Sequence, residues 1–266
     1  MKKLIINADD FGYSSGVNAG IIKAYQKGVL TSTTLMGNMP GTKEAVNLAQ
    51  ENPGLGVGIH LVLTTGKPLT TNDNLIDSNG QFYHLDHYEG ARKNMTDTDI
   101  FNEWCAQIDF LLSLGLKPTH FDSHHHVHFF KENHDITFAI SNKYHLPFRN
   151  SYGTEDLSKM DFQPVNELLL DMMNTPKIRD LSLPYEDIKY ECLEELQQTL
   201  DKATDIATLE LMVHPAFVDE HLLHNSSFNI QRVREVEILT DPLVKKLIEH
   251  NQYKLVNFKT VNKAIN

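Results

Sequence analysis

The chain has 266 residues, enough for a sizeable core and suited to one large domain. Its 41% apolar and 22% charged residues are those of a soluble globular protein. With 24 basic against 35 acidic residues the net charge is −11, which disfavours nucleic acid and anionic membranes as partners.

Met1-Lys2-Lys3 is followed by only a short apolar run before Asn7, too brief for a signal-peptide core, and no run reaches membrane-spanning length. Cys105 and Cys192 belong to no CxxC pair, so a reducing compartment without disulfides is expected. These features together place the protein in the cytoplasm.

Leu4-Ile5-Ile6 reads as a buried strand ending in Asn7-Ala8-Asp9-Asp10-Phe11-Gly12. A helix capped near Ser14 follows, with Val17, Ile21, Ile22 and Tyr25 at helical spacing and Gly28 at its end. Thr31 to Met36 is a β-branched strand, and Lys43 to Glu51 a helix stopped by Asn52-Pro53-Gly54. Leu55 to Leu61 is the third strand. Residues 62–95 are rich in Gly, Asn and Asp and read as a long loop, either a wall beside a site or a surface insertion.

Ile100, Trp104, Ile108, Leu111 and Leu112 mark an amphipathic helix. Next comes Thr119-His120-Phe121-Asp122-Ser123-His124-His125-His126-Val127-His128, which holds five of the fourteen histidines. Read as a strand, it puts His120, Asp122, His124, His126 and His128 on one face. Buried imidazoles need partners, and neutral imidazole is a common metal ligand. The alternative is a surface histidine tract. Those that are not ligands are expected to orient ligands or to bind substrate.

A helix over about 133–144 leads to a short strand at His145–Arg149. Helix is expected over Val165–Met173, within a segment, 150–176, that is otherwise hard to read, and strand over Lys177–Leu183 beyond it. A helix near 191–203, a strand at Thr208–Val213 ending in His214-Pro215-Ala216, one or two helices over 229–250 and a strand at Tyr253–Lys259 complete the chain. Strand and helix alternate about seven or eight times, which calls for a parallel sheet with helical crossovers. The polar residues cluster after the strands. An irregular, TIM-barrel-like (β/α) barrel is expected, since it gathers them in one ring, whereas an open doubly wound sheet spreads them out.

Asp10, His60 and His124 form a candidate metal triad that leaves a coordination position open for water. Zinc suits the two nitrogens, and magnesium prefers oxygen ligands. Asp9 either takes a proton from bound water as a base, which requires the chain to be leaving the strand there, as Gly12 allows, or faces away and only caps or pairs locally. His214 is either a general acid or a satisfied core histidine. Arg149 either steadies a catalytic carboxylate or makes a surface ion pair.

The blocks Asn7–Gly12, Thr31–Thr34, Gly58–Leu61, Thr119–His128 and His214–Phe217 resemble those of the YdjC-like carbohydrate deacetylases, whose best-known members are chitooligosaccharide (diacetylchitobiose) deacetylases. The resemblance runs from residue 7 to residue 217. It implies an irregular (β/α) barrel, one divalent metal ion and hydrolysis of an N-acetyl group on a small acetylated oligosaccharide, with or without a phosphate. It maps the ligands to Asp10, His60 and His124, the base to Asp9, the acid to His214 and the arginine that steadies the base to Arg149. A homodimer is the commonest assembly for such an enzyme. Competing readings are a metal-dependent phosphoesterase or amidohydrolase, which calls for a His-x-His pair on the first strand, and a non-catalytic metal- or sugar-binding protein.

Overall fold

The structure, a computed structural model, describes residues 2–150, 168–172 and 175–261. Among these, seven strands form one parallel sheet: β1 (Lys2–Phe11), β2 (Ser32–Leu35), β3 (Gly56–Leu61), β4 (Phe121–Ser123), β5 (Leu168–Asp171), β6 (Thr208–Val213) and β7 (Tyr253–Leu255). The order is β4-β3-β2-β1-β6-β5. β1 is long enough to pair with β7 through Lys2–Leu4 and with β2 from Asn7 onward, while β6 lines its other edge.

The helices are α1 (Ser15–Lys27), α2 (Thr42–Glu51), α3 (Leu85–Arg92), α4 (Asp97–Ser113), α5 (His134–Tyr144), α6 (Pro176–Arg179), α7 (Tyr185–Asp201), α8 (Glu220–Asn225), α9 (Gln231–Thr240), α10 (Pro242–His250) and α11 (Phe258–Val261). Local chemistry sets several of their starts. The Ser14 side chain accepts from the Val17 N–H at the head of α1. Thr96 and Asp99 make a reciprocal capping box at the head of α4. No described helix is long and apolar enough to cross a membrane.

Alternation along the strands divides the molecule into two kinds of interior. Leu4, Ile6 and Ala8 of β1, Val57, Ile59 and Leu61 of β3, and Leu209, Leu211 and Val213 of β6 belong to the apolar core. Each large aliphatic buried there contributes roughly 1.5–3 kcal/mol. The residues between them, Asn7 and Asp9, His60, and Glu210, are also buried but engage one another and Arg149. Arg149 follows Phe148, which bridges Phe121 of β4, yet its side chain reaches both Asp9 on β1 and Glu210 on β6. The sheet is therefore strongly curled, with a polar inner face.

The curled sheet is a half-barrel, not the closed barrel expected: among the described residues no ladder joins β4 to β5. Other expectations also change. The histidine strand ends at Ser123. Its continuation, His124–Phe129, is a 3-10 segment in which His125 and His126 have φ of 54° and 56°, so period-two alternation stops. Leu168–Asp171 is a strand, not helix; the remainder of the expected helix falls partly on residues 165–167 and 173, outside those described. The expected strand at Lys177–Leu183 begins instead as the short α6, which has a proline in its first turn. The last strand stops at Leu255. His145–Arg149 contributes a single bridge rather than a strand.

Residues 62–95 are not a bare loop. They hold a 3-10 turn at Asp73–Leu75 as well as α3. Glu103 of α4 accepts from the Leu69 and Thr70 N–H groups, and buried Tyr88 accepts from the Asn133 amide.

Candidate active site

The carboxyl ends of the strands meet at one cavity of about 300 Å3, lined by Asp9, Asp10, His60, His124, His214 and Arg232 among others. Asp9 and Asp10 both reach it because β1 bulges there. Between the pairs Ala8–Thr33 and Phe11–Leu35, β1 has one residue more than β2, and Asp10 has a φ of 70°. Aspartate is among the few residues that tolerate this left-handed backbone. Neighbours that would otherwise point to opposite faces thus serve one site.

The two carboxylates have separate cations. Asp9 is held by Arg149 through two bonds of 2.6 and 2.7 Å, and the Asn7 amide donates to it at 3.0 Å. Burial pushes the Asp9 pKa up, but the Arg149 guanidinium outweighs it and the net shift is downward. Asp10 turns Oδ1 to His60 Nε2 at 3.3 Å and His124 Nδ1 at 3.0 Å, and Oδ2 to Arg232 Nη2 at 2.8 Å. Burial again opposes ionisation, and Arg232 and His124 overcome it, holding Asp10 well below the usual carboxylate range.

Asp10, His60 and His124 each offer one ligand atom, all within 4.8 Å of one another. The donor chemistry fits a divalent cation. His60 Nδ1 lies 2.6 Å from Asp122 Oδ1, and Asp122 also accepts from Thr34 Oγ1 at 3.0 Å and from Arg149 Nη1 at 2.9 Å. An ionised carboxylate only accepts, so Nδ1 carries the proton, and in the neutral ring Nε2 turns a lone pair toward Asp10. Burial alone would lower the His60 pKa, but Asp122 and Asp10 outweigh it and raise it to about 10. A second grouping, Asp9, His60 and Asp122, is also compact, but Arg149 already occupies both carboxylates and would repel a metal ion.

Arg149 is fully buried, so the surface ion-pair alternative is excluded. Its Nε donates to Glu210 Oε1 at 2.8 Å, which gives one guanidinium three carboxylates. Glu210 is the least compensated of the three: burial raises its pKa to about 7 despite Arg149.

His214 lies at the cavity, just past β6, with its ring edge-on to Phe228 at 5.7 Å, and its backbone N–H donates to the Glu235 carboxylate. Burial pushes its pKa down to about 4, against the pull of Asp9, so the ring is neutral at pH 7 in the free protein. A general acid poised as imidazolium is not its resting state.

The other histidines separate. His126 lines the cavity and is pushed by burial down to about 4. His128 bonds Ser123 Oγ at 2.6 Å and the Arg149 carbonyl at 3.3 Å, which makes it a support for Arg149. His120 is stacked on Phe258 at 3.6 Å, bonded to Thr119, and does not line the cavity. Asp122 orients His60. The single shared face expected for His120, Asp122, His124, His126 and His128 does not exist, because the strand ends before its third member. His125 takes a wall position instead, bonded to Thr64 at 2.9 Å beside His84.

Sequence reasoning missed Thr34, Glu210, Arg232 and Glu235. Glu210 is marked by alternation, as a polar residue set between Leu209 and Leu211 on a strand, whereas Thr34 follows Thr33 in a polar run and has no such mark. Arg232 and Glu235 lie on a helix more than 200 residues from Asp10 and carry no local signal.

A family profile described as YdjC-like protein matches residues 3–250. The chain belongs to the YdjC-like family. A carbohydrate deacetylase of Geobacillus stearothermophilus is 38% identical over 263 residues, covering 96% of each chain. A carbohydrate deacetylase of Clostridium beijerinckii is 36% identical over 260 residues, covering 97% of this chain and all of that one. A crystal structure from Enterococcus faecalis V583, provisionally assigned to cellobiose-phosphate cleavage, superposes with a TM-score of 0.83 at 34% identity, covering 97% of this chain and 98% of that one.

Proposed function

We propose that this YdjC-like chain hydrolyses the N-acetyl group of an acetylated sugar, such as diacetylchitobiose or another chitooligosaccharide, and releases acetate. It is a carbohydrate deacetylase by its full-length likeness to relatives of that activity. The observation that carries the mechanistic reading is the pairing of Asp9 and Asp10 with different cations at one cavity. A mere binder has no use for a second ionised carboxylate kept out of the ligand set. A His-x-His pair, which an amidohydrolase or phosphoesterase would call for on the first strand, is absent from β1.

Asp10, His60 and His124 are the residues that would hold a divalent cation, and two nitrogens with one carboxylate suit zinc better than magnesium. Such a cation supplies Lewis acidity to the attacking water and to the acetamide carbonyl. Asp9, ionised and steadied by Arg149, takes a proton from the water as its oxygen bonds the carbonyl carbon. His214, neutral at rest, receives that proton and delivers it to the nitrogen as the C–N bond breaks and its electron pair stays on nitrogen. The products are acetate and the free amino sugar. Asp122 and Thr34 keep the His60 tautomer fixed throughout.

Incubation with diacetylchitobiose, with and without chelator, tests the activity through free acetate. Chelation is expected to abolish release. Asp9→Asn is expected to retain the metal and lose about 10²–10⁴ in turnover. Retention of most activity would refute the role of Asp9. A disaccharide phosphate carrying an N-acetyl group belongs in the same assay, given the provisional assignment of the Enterococcus structure.

A further inference from the structure

Arg232 is buried, at 3% exposure, and lines the cavity from the first turn of α9. Two of its guanidinium nitrogens are committed. Nε donates to the Phe228 carbonyl at 2.7 Å and Nη2 to Asp10 Oδ2 at 2.8 Å. Nη1 is buried and donates to no group among the described residues. A charged donor left unpaired inside a protein is costly and calls for an explanation such as a water or a ligand. The rest of Arg232 is firmly placed: its carbonyl accepts from the Ala216 N–H, two residues past His214.

We propose that Arg232 is a catalytic residue whose free Nη1 takes the acetyl oxygen of the substrate, holding it as the carbonyl gains negative charge and afterwards as a carboxylate oxygen of product acetate. This rests on the deacetylase reading and deepens it. Nη1 shares a carbon with Nη2, and Nη2 touches the carboxylate on which His60 and His124 converge. A substrate atom that reaches Nη1 is therefore next to the reacting centre, where an N-acetyl sugar must place its acetyl group. The charge also matches. Attack by water moves an electron pair onto the carbonyl oxygen, and a guanidinium favours that anion over the neutral carbonyl. A phosphate is a poorer match, because Asp9 and Asp10 face the same space.

The test compares wild type, Arg232→Gln and Arg232→Lys by three measurements. Acetate binding is followed by saturation-transfer NMR on the acetate methyl, with the protein metal-loaded and with the metal chelated. Metal affinity is measured by calorimetry. Turnover is measured on diacetylchitobiose. Arg232→Gln is expected to weaken acetate binding about tenfold or more in both forms, and to lower kcat about 10²–10³-fold with KM changed less than about threefold. Metal affinity should stay within about tenfold. Arg232→Lys, which keeps one charged donor, should recover part of the acetate binding, and it carries the comparison if the glutamine variant does not fold. Equal acetate binding by wild type and variants overturns the proposal, since Nη1 then meets only water. Metal affinity falling in step with kcat also overturns it, since Arg232 then merely holds Asp10. If wild type binds acetate through Arg232 yet frees none from acetylated sugars, the deacetylase reading fails while the acyl-oxygen site stands.

Discussion

Replacing Arg149 by methionine tests the polar interior most directly. The side chain is fully buried, and its guanidinium is within 2.9 Å of oxygens from Asp9, Asp122 and Glu210. Methionine fills similar space but leaves three carboxyl groups around no cation. Removing one partner of a buried pair costs about 3–5 kcal/mol. At roughly 2–4 °C per kcal/mol for a chain of this size, the melting temperature should fall by about 6–20 °C at pH 8. The loss must depend on pH in a set direction. Arg149 helps to depress the Asp9 and Asp122 pKa values, so the stability it contributes is present above the ordinary aspartate pKa, 3.8, and is lost as pH falls through the depressed values. In the variant, burial is left to raise these carboxyls, so the variant regains stability as pH falls from 8 toward 3.8, and its gap to wild type should narrow over that range. Activity should fall, because without the guanidinium burial pushes the Asp9 pKa up, away from the ionised form that the proposed base needs. Thermal melts by circular dichroism from pH 4 to 8, with acetate release at each pH, check both. A variant that melts within 2 °C of wild type at pH 8, a shift of about 1 kcal/mol or less, would show that Arg149 does not hold this network together.

Glu210→Gln should behave in the opposite sense. Because the folded-state pKa is raised from 4.5 to about 7, the native state keeps a proton that the unfolded chain has released, and wild-type stability declines between these values and stays lower above them. The melting temperature of the glutamine variant should therefore gain on wild type from pH 5 to pH 8, by an amount on the order of 3 kcal/mol at most; parallel melting curves across that range would count against a strained carboxyl. Gly20→Ala probes the seating of His214. A Cβ at Gly20 would lie 2.5 Å from the Ala216 Cα, backbone that cannot step aside, so α1 and the His214–Phe217 segment must separate. A loss of about 1–3 kcal/mol is expected, with a fall in turnover larger than any change in metal affinity; an unchanged melt and full activity would refute the close approach.

Much of this site could be read along the chain where a local rule applied. Consecutive carboxylates at a strand end could share a site only if the chain bent there, and the bend is the bulge at Asp10. His60, His124 and His214 sit at strand ends because parallel strands put their carboxyl termini together. Reading failed where a short pattern fits two structures. His124 to His128 continues the alternation of the strand before it, but left-handed backbone at His125 and His126 redirects the chain, and no local feature forces a non-glycine residue into that conformation. Leu168–Asp171 is a brief apolar run that periodicity alone cannot assign to helix or strand. Closure was overestimated for a different reason. Strand count suggests a ring, yet ladder pairing depends on contacts between segments distant in sequence, and on the inner face it is Arg149 that reaches from one side to the other.

The second arginine explains why two adjacent aspartates are useful at all. Neighbouring buried carboxylates raise one another's pKa, and burial raises both, so an unassisted pair would share a proton. Here both are lowered, because Arg149 compensates Asp9 and Arg232 compensates Asp10. The left-handed backbone at Asp10, a strain of order 1–3 kcal/mol, brings the two carboxylates to one cavity, and the arginines allow both to stay ionised there. One can then bind a cation while the other accepts a proton, without either role drawing on the other's charge. Exchanging the two residues' environments is impossible by point mutation. The division of labour proposed for them rests on backbone geometry and on two guanidiniums that arrive from separate segments of the chain, at residues 149 and 232.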